Sequence, residues 1–194
     1  MKVFGNDGFR SKFGYKYMTI EFLSAFCFGI IDYYKNKNYD LPILIGRDTR
    51  SSGLIIEKIL VSIINYGGIN TVSAGIIPTP GLSFILKPEL YSMGIMITAS
   101  HNPHYDNGIK LYSDNGLKLL EQEEKIIEQN ILERIKKKDS QFLGKIGIHK
   151  KPNLLYKKYA LGIKNIFKRV NIADKILIDC SNGAFSHVAK IALK

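Results

Sequence analysis

The sequence is poor in cysteine and in acidic residues, and it has no long apolar run. Its two cysteines, Cys27 and Cys180, lie far apart in apolar surroundings and form no C-x-x-C pair. We therefore expect reduced core thiols, which suit a cytoplasmic protein, and not a disulfide scaffold. No segment is long enough to span a bilayer, and the first eight residues lack the apolar stretch of a signal peptide. These absences predict a cytoplasmic protein with no membrane partner.

The shortage of acidic residues leaves a strongly basic chain. Of the 194 residues, 28 are Lys or Arg and 17 are Asp or Glu, which gives a formal net charge of +11. This balance favours anionic partners, namely nucleic acid, acidic membranes or phosphorylated metabolites. The lysines between Lys136 and Lys151 are spread over a helix end and a linker, and no helix-turn-helix, zinc or RNA-binding motif is present. We therefore expect no nucleic-acid partner.

Helical and strand patterns alternate along the chain. Hydrophobic residues make up 45% of it, which is enough for a packed core. The alternation predicts an α/β fold with a mixed sheet flanked by helices, to which a hairpin at 114–116 adds antiparallel strands. The patterns place strands at 41–45, 70–74, 93–97, 109–113, 117–120 and 176–178. They predict one helix capped by Thr19 and a second capped by Ser51 or Ser52, and further helices near Leu82, after Leu120, from Leu154 and from Ala184.

A polar connecting segment at 145–153 divides the chain. We predict a first domain over 1–150 and the start of a second, similar α/β domain over 151–194. The second part contains a single strand-to-helix step, which cannot bury both faces of a sheet. We therefore expect the second domain to be incomplete within this sequence.

The loop that follows the apolar run 93–97 is the main candidate site. It presents Ser100, His101 and Asn102 where ligands bind in open α/β sheets, at the carboxyl end of a strand. His101 is a poor base for Ser100, because neighbours on an extended chain point to opposite sides, and no G-x-S-x-G motif is present. A serine without a dedicated base suits the carrying of a phosphoryl group. Lys110, Arg10 or a metal ion could offset its charge.

Five separated motifs, in the same order, resemble the α-D-phosphohexomutase superfamily. The serine motif is the most specific of the five. The sequence at 105–110 and 179–184 is most similar to that of the superfamily branch that acts on glucosamine phosphates. The branches that act on mannose and glucose phosphates stay open as alternatives. The motifs are FGNDGFR at 4–10, GRDTRSSG at 46–53, PTP at 78–80, GIMITASHNP at 94–103 and DNGIK at 106–110.

The resemblance implies a role for each candidate residue. Ser100 would be the phosphorylated serine that interconverts glucosamine 6-phosphate and glucosamine 1-phosphate through glucosamine 1,6-bisphosphate, and its phosphate would bind Mg²⁺. Lys110 would act as acid, base or charge stabiliser, and Arg10 would reach the phosphoserine. His101 would either form hydrogen bonds around the site or shape the loop. The substrate would then be a phosphorylated hexosamine.

The sequence departs from the family pattern in two ways. Asn6 and Ser11 stand where the family usually has Thr and Gly. The superfamily has four domains, and its metal-binding, sugar-reading and phosphate-gripping loops follow the part that this sequence matches. The resemblance therefore implies further C-terminal domains as partners and little activity for this chain alone. A truncated, non-catalytic phosphosugar-binding module remains the alternative. We expect Arg47, Asp48 and Arg50 to form an ion-paired structural loop.

Overall fold

The computed structural model describes residues 2–5, 7–137, 144–152, 154–168, 175 and 177–193. Asn6 and residues 138–143 lie outside this set. Within the described part, no helix combines the length and apolarity needed to cross a membrane. The elements are β1 Phe9–Lys12, α1 Ile20–Asn36, β2 Ile43–Arg47, α2 Ser51–Tyr66, β3 Thr71–Ile76, α3 Thr79–Ile85, β4 Met93–Ile97, β5 Asp106–Ser113, α4 Glu121–Lys137, β6 His149–Lys150, α5 Leu155–Ile166 and α6 Ser186–Ala192.

The strands form one mixed sheet in the order β1-β5-β4-β2-β3-β6. Strands β2, β3, β4 and β6 are parallel, whereas β5 runs antiparallel to both β4 and β1. The predicted mixed α/β sheet is therefore confirmed. Because β2, β3 and β4 are parallel, the loops that leave their carboxyl ends meet at one edge of the sheet, where the candidate serine lies.

Side chains that alternate along each strand pack into two separate hydrophobic cores, one on each face of the sheet. In β2, Ile43 and Ile45 pack in the core that α1, α2 and α4 cover, while Leu44 packs in the core that α3 and α5 cover. Strand β5 follows the same period of two, with Ile109 and Leu111 on the first face. Lys110 therefore lies on the second face of the sheet.

Two predicted helix starts have different outcomes. Thr19 caps α1 as predicted, since its Oγ1 accepts a hydrogen bond from the backbone N–H of Phe22 at 3.2 Å. The predicted cap of α2 by Ser51 or Ser52 is wrong, because the helix begins at Ser51 and its N-cap is Arg50, whose side chain makes no capping bond. The side chain of Arg50 instead reaches across to residues 98–105, the loop between β4 and β5 that carries Ser100 and is called the serine loop below.

The predicted hairpin keeps its turn but loses its second strand. Gly116 has φ of +79°, and a Cβ there would lie 2.3 Å from the carbonyl oxygen of Ser83, so only glycine fits this turn. The predicted strand 117–120 shrinks to one bridge between Tyr112 and Lys118. The carbonyl of Leu120 already accepts the N–H groups of Glu123 and Glu124 in the first turn of α4, which takes the chain away from the sheet.

The last part of the chain departs most from the prediction. The short strand β6, which was not predicted, pairs with β3 at the sheet edge. Of the predicted strand 176–178, Ile176 lies outside the described residues. Leu177 and Ile178 are not in a strand, because no described strand lies beside them, and Leu177 is 97% exposed. Helix α5 still packs on the second core through Tyr159. The domain division after residue 150 stays a prediction.

Candidate functional site

Ser100 is presented to solvent at the carboxyl edge of the sheet. It lies just beyond β4, is exposed, and has a left-handed backbone with φ of +56°. It lines an open cavity of about 520 Å³ whose walls come from four loops. The loops after β2, β3 and β4 were expected here, but Ser181, Gly183 and Ala184 complete the wall. The serine hydroxyl is therefore accessible to a small-molecule ligand.

Arg50 holds the backbone of the serine loop from beneath. Its side chain is only 10% exposed and pairs with Asp48, with Nε 2.9 Å from Oδ2. The expected ion pair between Asp48 and Arg50 is therefore present, whereas Arg47 pairs with Glu57 of α2. The guanidinium also donates to four backbone carbonyls, those of Ser100, Asn102 and Asp106 at 2.9 Å each and that of Pro103.

A second set of bonds fixes the start of the loop. Thr98 is buried, and its Oγ1 donates to Asp48 Oδ2 at 2.7 Å while accepting the backbone N–H of Ser100 at 3.0 Å. The Thr98 N–H donates to the carbonyl of Gly108 at 2.9 Å. Asp48 therefore ties both Thr98 and Arg50 to one carboxylate, and Ser100 is held on both sides of its backbone.

Lys110 and Arg10 form a charge cluster with Asp7. The Oδ2 of Asp7 accepts from Arg10 Nη2 at 3.0 Å and from Lys110 Nζ. Partial burial alone would raise the pKa of Asp7, but the hydrogen bond and charge of Lys110, together with Arg10, hold that pKa below its usual value. Two cations thus share one carboxylate, which leaves the cluster with a net positive charge.

Asn102 connects this cluster to the serine loop. Arg10 Nη1 donates to Asn102 Oδ1 at 3.1 Å, and Asn102 Nδ2 donates to Asp106 Oδ2 at 2.9 Å. Arg10 and Lys110 are not among the described residues that line the cavity at Ser100. The predicted site residues thus form two neighbouring groups with a shared asparagine.

His101 takes no visible part in either group. Its side chain is exposed, and within the described ranges it makes no hydrogen bond and does not line the cavity. His104, three residues further on, does line the cavity. Among the described residues, His101 therefore makes no hydrogen bond to Ser100, Lys110 or Arg10, and its predicted role stays a prediction.

Two motif glycines permit the close packing of these groups. A Cβ on Gly108 would lie 2.6 Å from the carbonyl oxygen of Thr98 and 2.8 Å from Cγ of Arg10, so Arg10 can cross β5 only over a glycine. Gly8 has φ of +80°, and a Cβ there would lie 2.0 Å from the carbonyl oxygen of Ile109. This turn brings Asp7 to Lys110.

Sequence reasoning missed the contacts of Asp7 and Asn102 and the carbonyl-binding role of Arg50. All three residues lie inside the motifs that carry the family resemblance, so their place in the sequence was a usable signal. Their contacts join residues 50 to 103 positions apart, such as Asp7 with Lys110, and no local pattern predicts such pairs.

The described residues do not form a complete metal site. Within them, no group of three or more His, Cys, Asp or Glu side chains is placed to hold a metal ion. The two carboxylates bonded to the serine loop are already engaged, Asp48 by Thr98 and Arg50, and Asp106 by Asn102. These residues therefore do not fit Mg²⁺ by themselves, and the predicted ion stays a prediction.

The fold and site define a class, an α/β/α domain that presents a firmly held, exposed serine beside a cationic cluster. Sequence comparison narrows the class. A sequence model described as phosphoglucomutase/phosphomannomutase, alpha/beta/alpha domain I, matches residues 1–138. The chain belongs to the phosphoglucomutase/phosphomannomutase family, which confirms the resemblance seen in its motifs.

Sequence similarity to individual proteins extends beyond residues 1–138. The chain is 40% identical over 188 residues to the phosphoglucosamine mutase of Sulfurovum sp. (strain NBC37-1), covering 95% of this chain and 42% of that protein. It is 38% identical to the phosphoglucosamine mutase of Helicobacter pylori (strain G27), covering 98% and 43%. The chain thus spans about two-fifths of the length of these relatives.

Solved structures show the same fold. A phosphoglucomutase/phosphomannomutase family protein from Burkholderia thailandensis superposes with a TM-score of 0.76 at 20% identity, covering 98% of this chain and 41% of that one. A putative phosphomannomutase from Thermus thermophilus superposes with a TM-score of 0.70 at 25% identity, covering 84% and 35%.

Proposed function

We propose that this chain is the serine-bearing part of a phosphoglucosamine mutase, which interconverts glucosamine 6-phosphate and glucosamine 1-phosphate. The observation that carries the proposal is the exposed Ser100, whose backbone Thr98 and Arg50 hold at the rim of a cavity of about 520 Å³. The sugar is taken from the relatives named phosphoglucosamine mutase. A preference for mannose or glucose phosphates is the competing outcome.

In the proposed cycle Ser100 is a reversible phosphoryl carrier. A sugar hydroxyl oxygen attacks the phosphorus on Ser100, so a sugar O–P bond forms while the Oγ–P bond of Ser100 breaks. The hydroxyl proton ends on Oγ. The bisphosphorylated sugar then returns its other phosphoryl group to the serine by the reverse exchange. Atoms balance over the cycle, and no co-reactant is consumed.

The cationic cluster is suited to the charge of this carrier. Phosphoserine bears close to two negative charges at neutral pH. Arg10 already reaches Asn102, two residues beyond Ser100, and Lys110 shares Asp7 with Arg10. A phosphate on Ser100 would compete with Asp7 for both cations. We therefore assign charge stabilisation to Arg10 and Lys110.

The proposal has three further parts, which concern the metal ion, the rest of the substrate-binding surface and the cellular location. Mg²⁺ would take one ligand from the Ser100 phosphate and the others from elsewhere. The substrate-binding surface would be completed by further domains, since the relatives are more than twice as long as the matched region. The protein would act in the cytoplasm, which the two free cysteines suit.

Mass spectrometry and a mutase assay test this proposal. In the full natural polypeptide that contains these residues, the purified protein should carry a phosphorylated fraction on the Ser100 peptide. Ser100→Ala should lose that phosphate and reduce turnover of glucosamine 6-phosphate by about 10³-fold or more. Ser113→Ala, at the far end of β5, is the matched control. Full turnover by Ser100→Ala, or a clear preference for mannose or glucose phosphate, would contradict the proposal.

A further inference from the structure

We propose that Arg50 is the positioning residue of this site, an arginine that holds Ser100 in its left-handed conformation and, although it lines the cavity, donates no hydrogen bond to the phosphate. This inference rests on the proposed function of Ser100. It separates the two jobs that arginines usually combine near a phosphoryl group, because one arginine shapes the loop and another meets the charge.

The donor count of Arg50 carries the first step. An arginine side chain has five N–H donors in a rigid fork and no acceptor. In Arg50, Nε donates to Asp48, Nη1 donates to two carbonyls and Nη2 donates to two more. Every donor is therefore in use, and a phosphate on Ser100 could gain a bond from Arg50 only by breaking the loop.

The backbone of Ser100 carries the second step. Its φ of +56° is a left-handed conformation that is unfavourable for a residue with a side chain. The loop holds it there from both sides, because Thr98 accepts the Ser100 N–H and Arg50 donates to the Ser100 carbonyl. Arg50 then spans the next turn by its bonds to Asn102 and Asp106.

The shape of the fork carries the third step. The four carbonyls belong to residues 100, 102, 103 and 106, so one planar group closes a ring of backbone around itself. Lysine keeps the charge, but its compact ammonium has three donors and cannot reproduce this planar set. Arg50→Lys therefore conserves the positive charge and tests only the positioning of the loop.

The first experiment compares Arg50→Lys with Arg134→Lys in the full natural polypeptide. Arg134 also makes a two-bond pair with a carboxylate, that of Asp32, but joins α1 to α4 away from the site. We expect Arg50→Lys to lower kcat about 100-fold with little change in KM, because a displaced Ser100 loses alignment but substrate contacts remain. Arg134→Lys should retain wild-type kcat.

Hydrogen exchange supplies a readout that does not depend on activity. In Arg50→Lys the amides of Ser100, Asn102 and Asp106 should exchange about tenfold faster or more, and those of Arg134→Lys should not change. A fall in kcat without faster exchange would overturn the positioning role of Arg50, as would wild-type values of both. If the wild type itself shows no phosphoserine and no turnover, the proposed function fails while the exchange comparison still tests the positioning role.

Chemical rescue separates the fork from its charge. Glycine is well tolerated at a helix N-cap, so Arg50→Gly leaves α2 intact. We expect free guanidinium ion at low millimolar concentration to raise the kcat of Arg50→Gly about tenfold. Ammonium ion at the same concentration should leave that kcat unchanged. Equal rescue by both ions would overturn a role that depends on the planar donor set.

Discussion

The serine loop and the cationic cluster lie side by side at one sheet edge, yet they are built differently. In the loop, Arg50, Asp48 and Thr98 form a closed network around Ser100, and each of the five Arg50 donors has its own partner. In the cluster, one oxygen of Asp7 serves both Arg10 and Lys110, and the Asp7 side chain is 49% exposed.

This difference separates a fixed part of the site from an exchangeable one. Arg50 has no donor to spare, so it can orient Ser100 but cannot donate a hydrogen bond to a new charge. The cluster has more positive charge than its carboxylate neutralises. Arg10 and Lys110 can therefore exchange Asp7 for a phosphate as their partner. Phosphoryl transfer needs both features, because the reacting oxygen must be placed and charge must be met as it moves.

Removal of Lys110 should break the exchangeable part with the largest effect. Its side chain is 11% exposed and anchored in β5, so its ammonium is well placed but partly desolvated. We expect Lys110→Met to lower kcat/KM about 10²- to 10³-fold, through loss of charge stabilisation. Steady-state kinetics on the full polypeptide measure this. Lys125→Met, on the exposed face of α4, is the control, and an equal effect in both would remove Lys110 from the site.

A substitution at Thr98 should weaken the fixed part less severely. Thr98→Val keeps the shape but removes the hydroxyl that bonds Asp48 and the Ser100 N–H, which costs about 1–3 kcal/mol of loop stability. We expect about a tenfold fall in kcat and faster exchange at Ser100. Thr71→Val is the matched control, because Thr71 is also buried and hydrogen-bonded but lies at the start of β3. Unchanged exchange at Ser100 would show that the hydroxyl is dispensable.

The sequence predicted the parts of this molecule that depend on local pattern. Helix α1 with its Thr19 cap, strands β2 to β4 and the turn at Gly116 all follow from apolar period, cap chemistry or turn chemistry. Strands β1 and β6 escaped prediction because they are short edge strands. Strand β6 is exposed at both positions, so no alternation marks it.

The site followed the same division. Ser100 was predicted from its place after a buried strand, and the structure puts it on the cavity. The bond from Arg10 to Asn102 and the four bonds from Arg50 to backbone carbonyls depend on which strands become neighbours, which the sheet order β1-β5-β4-β2 decides. Burial and pairing between distant segments, and not local propensity, therefore decide which polar side chains meet.

Substitution of Asp7 gives the smallest and most diagnostic effect. The lowered pKa of Asp7 means that its ion pairs stabilise the fold at neutral pH and that this contribution is lost as pH falls through that pKa, below about pH 4. Because the carboxylate is half exposed, Asp7→Asn should cost less than about 1 kcal/mol at pH 7. Its melting temperature should approach that of wild type in acid, and high salt should shrink the difference.

We expect kcat of Asp7→Asn to fall only about threefold, since both cations remain. Asp32→Asn, which breaks the distant pair with Arg134, should leave kcat unchanged. A fall in kcat for Asp7→Asn as large as that for Lys110→Met would show that the carboxylate takes part in the chemistry and is not merely the partner that a phosphate displaces.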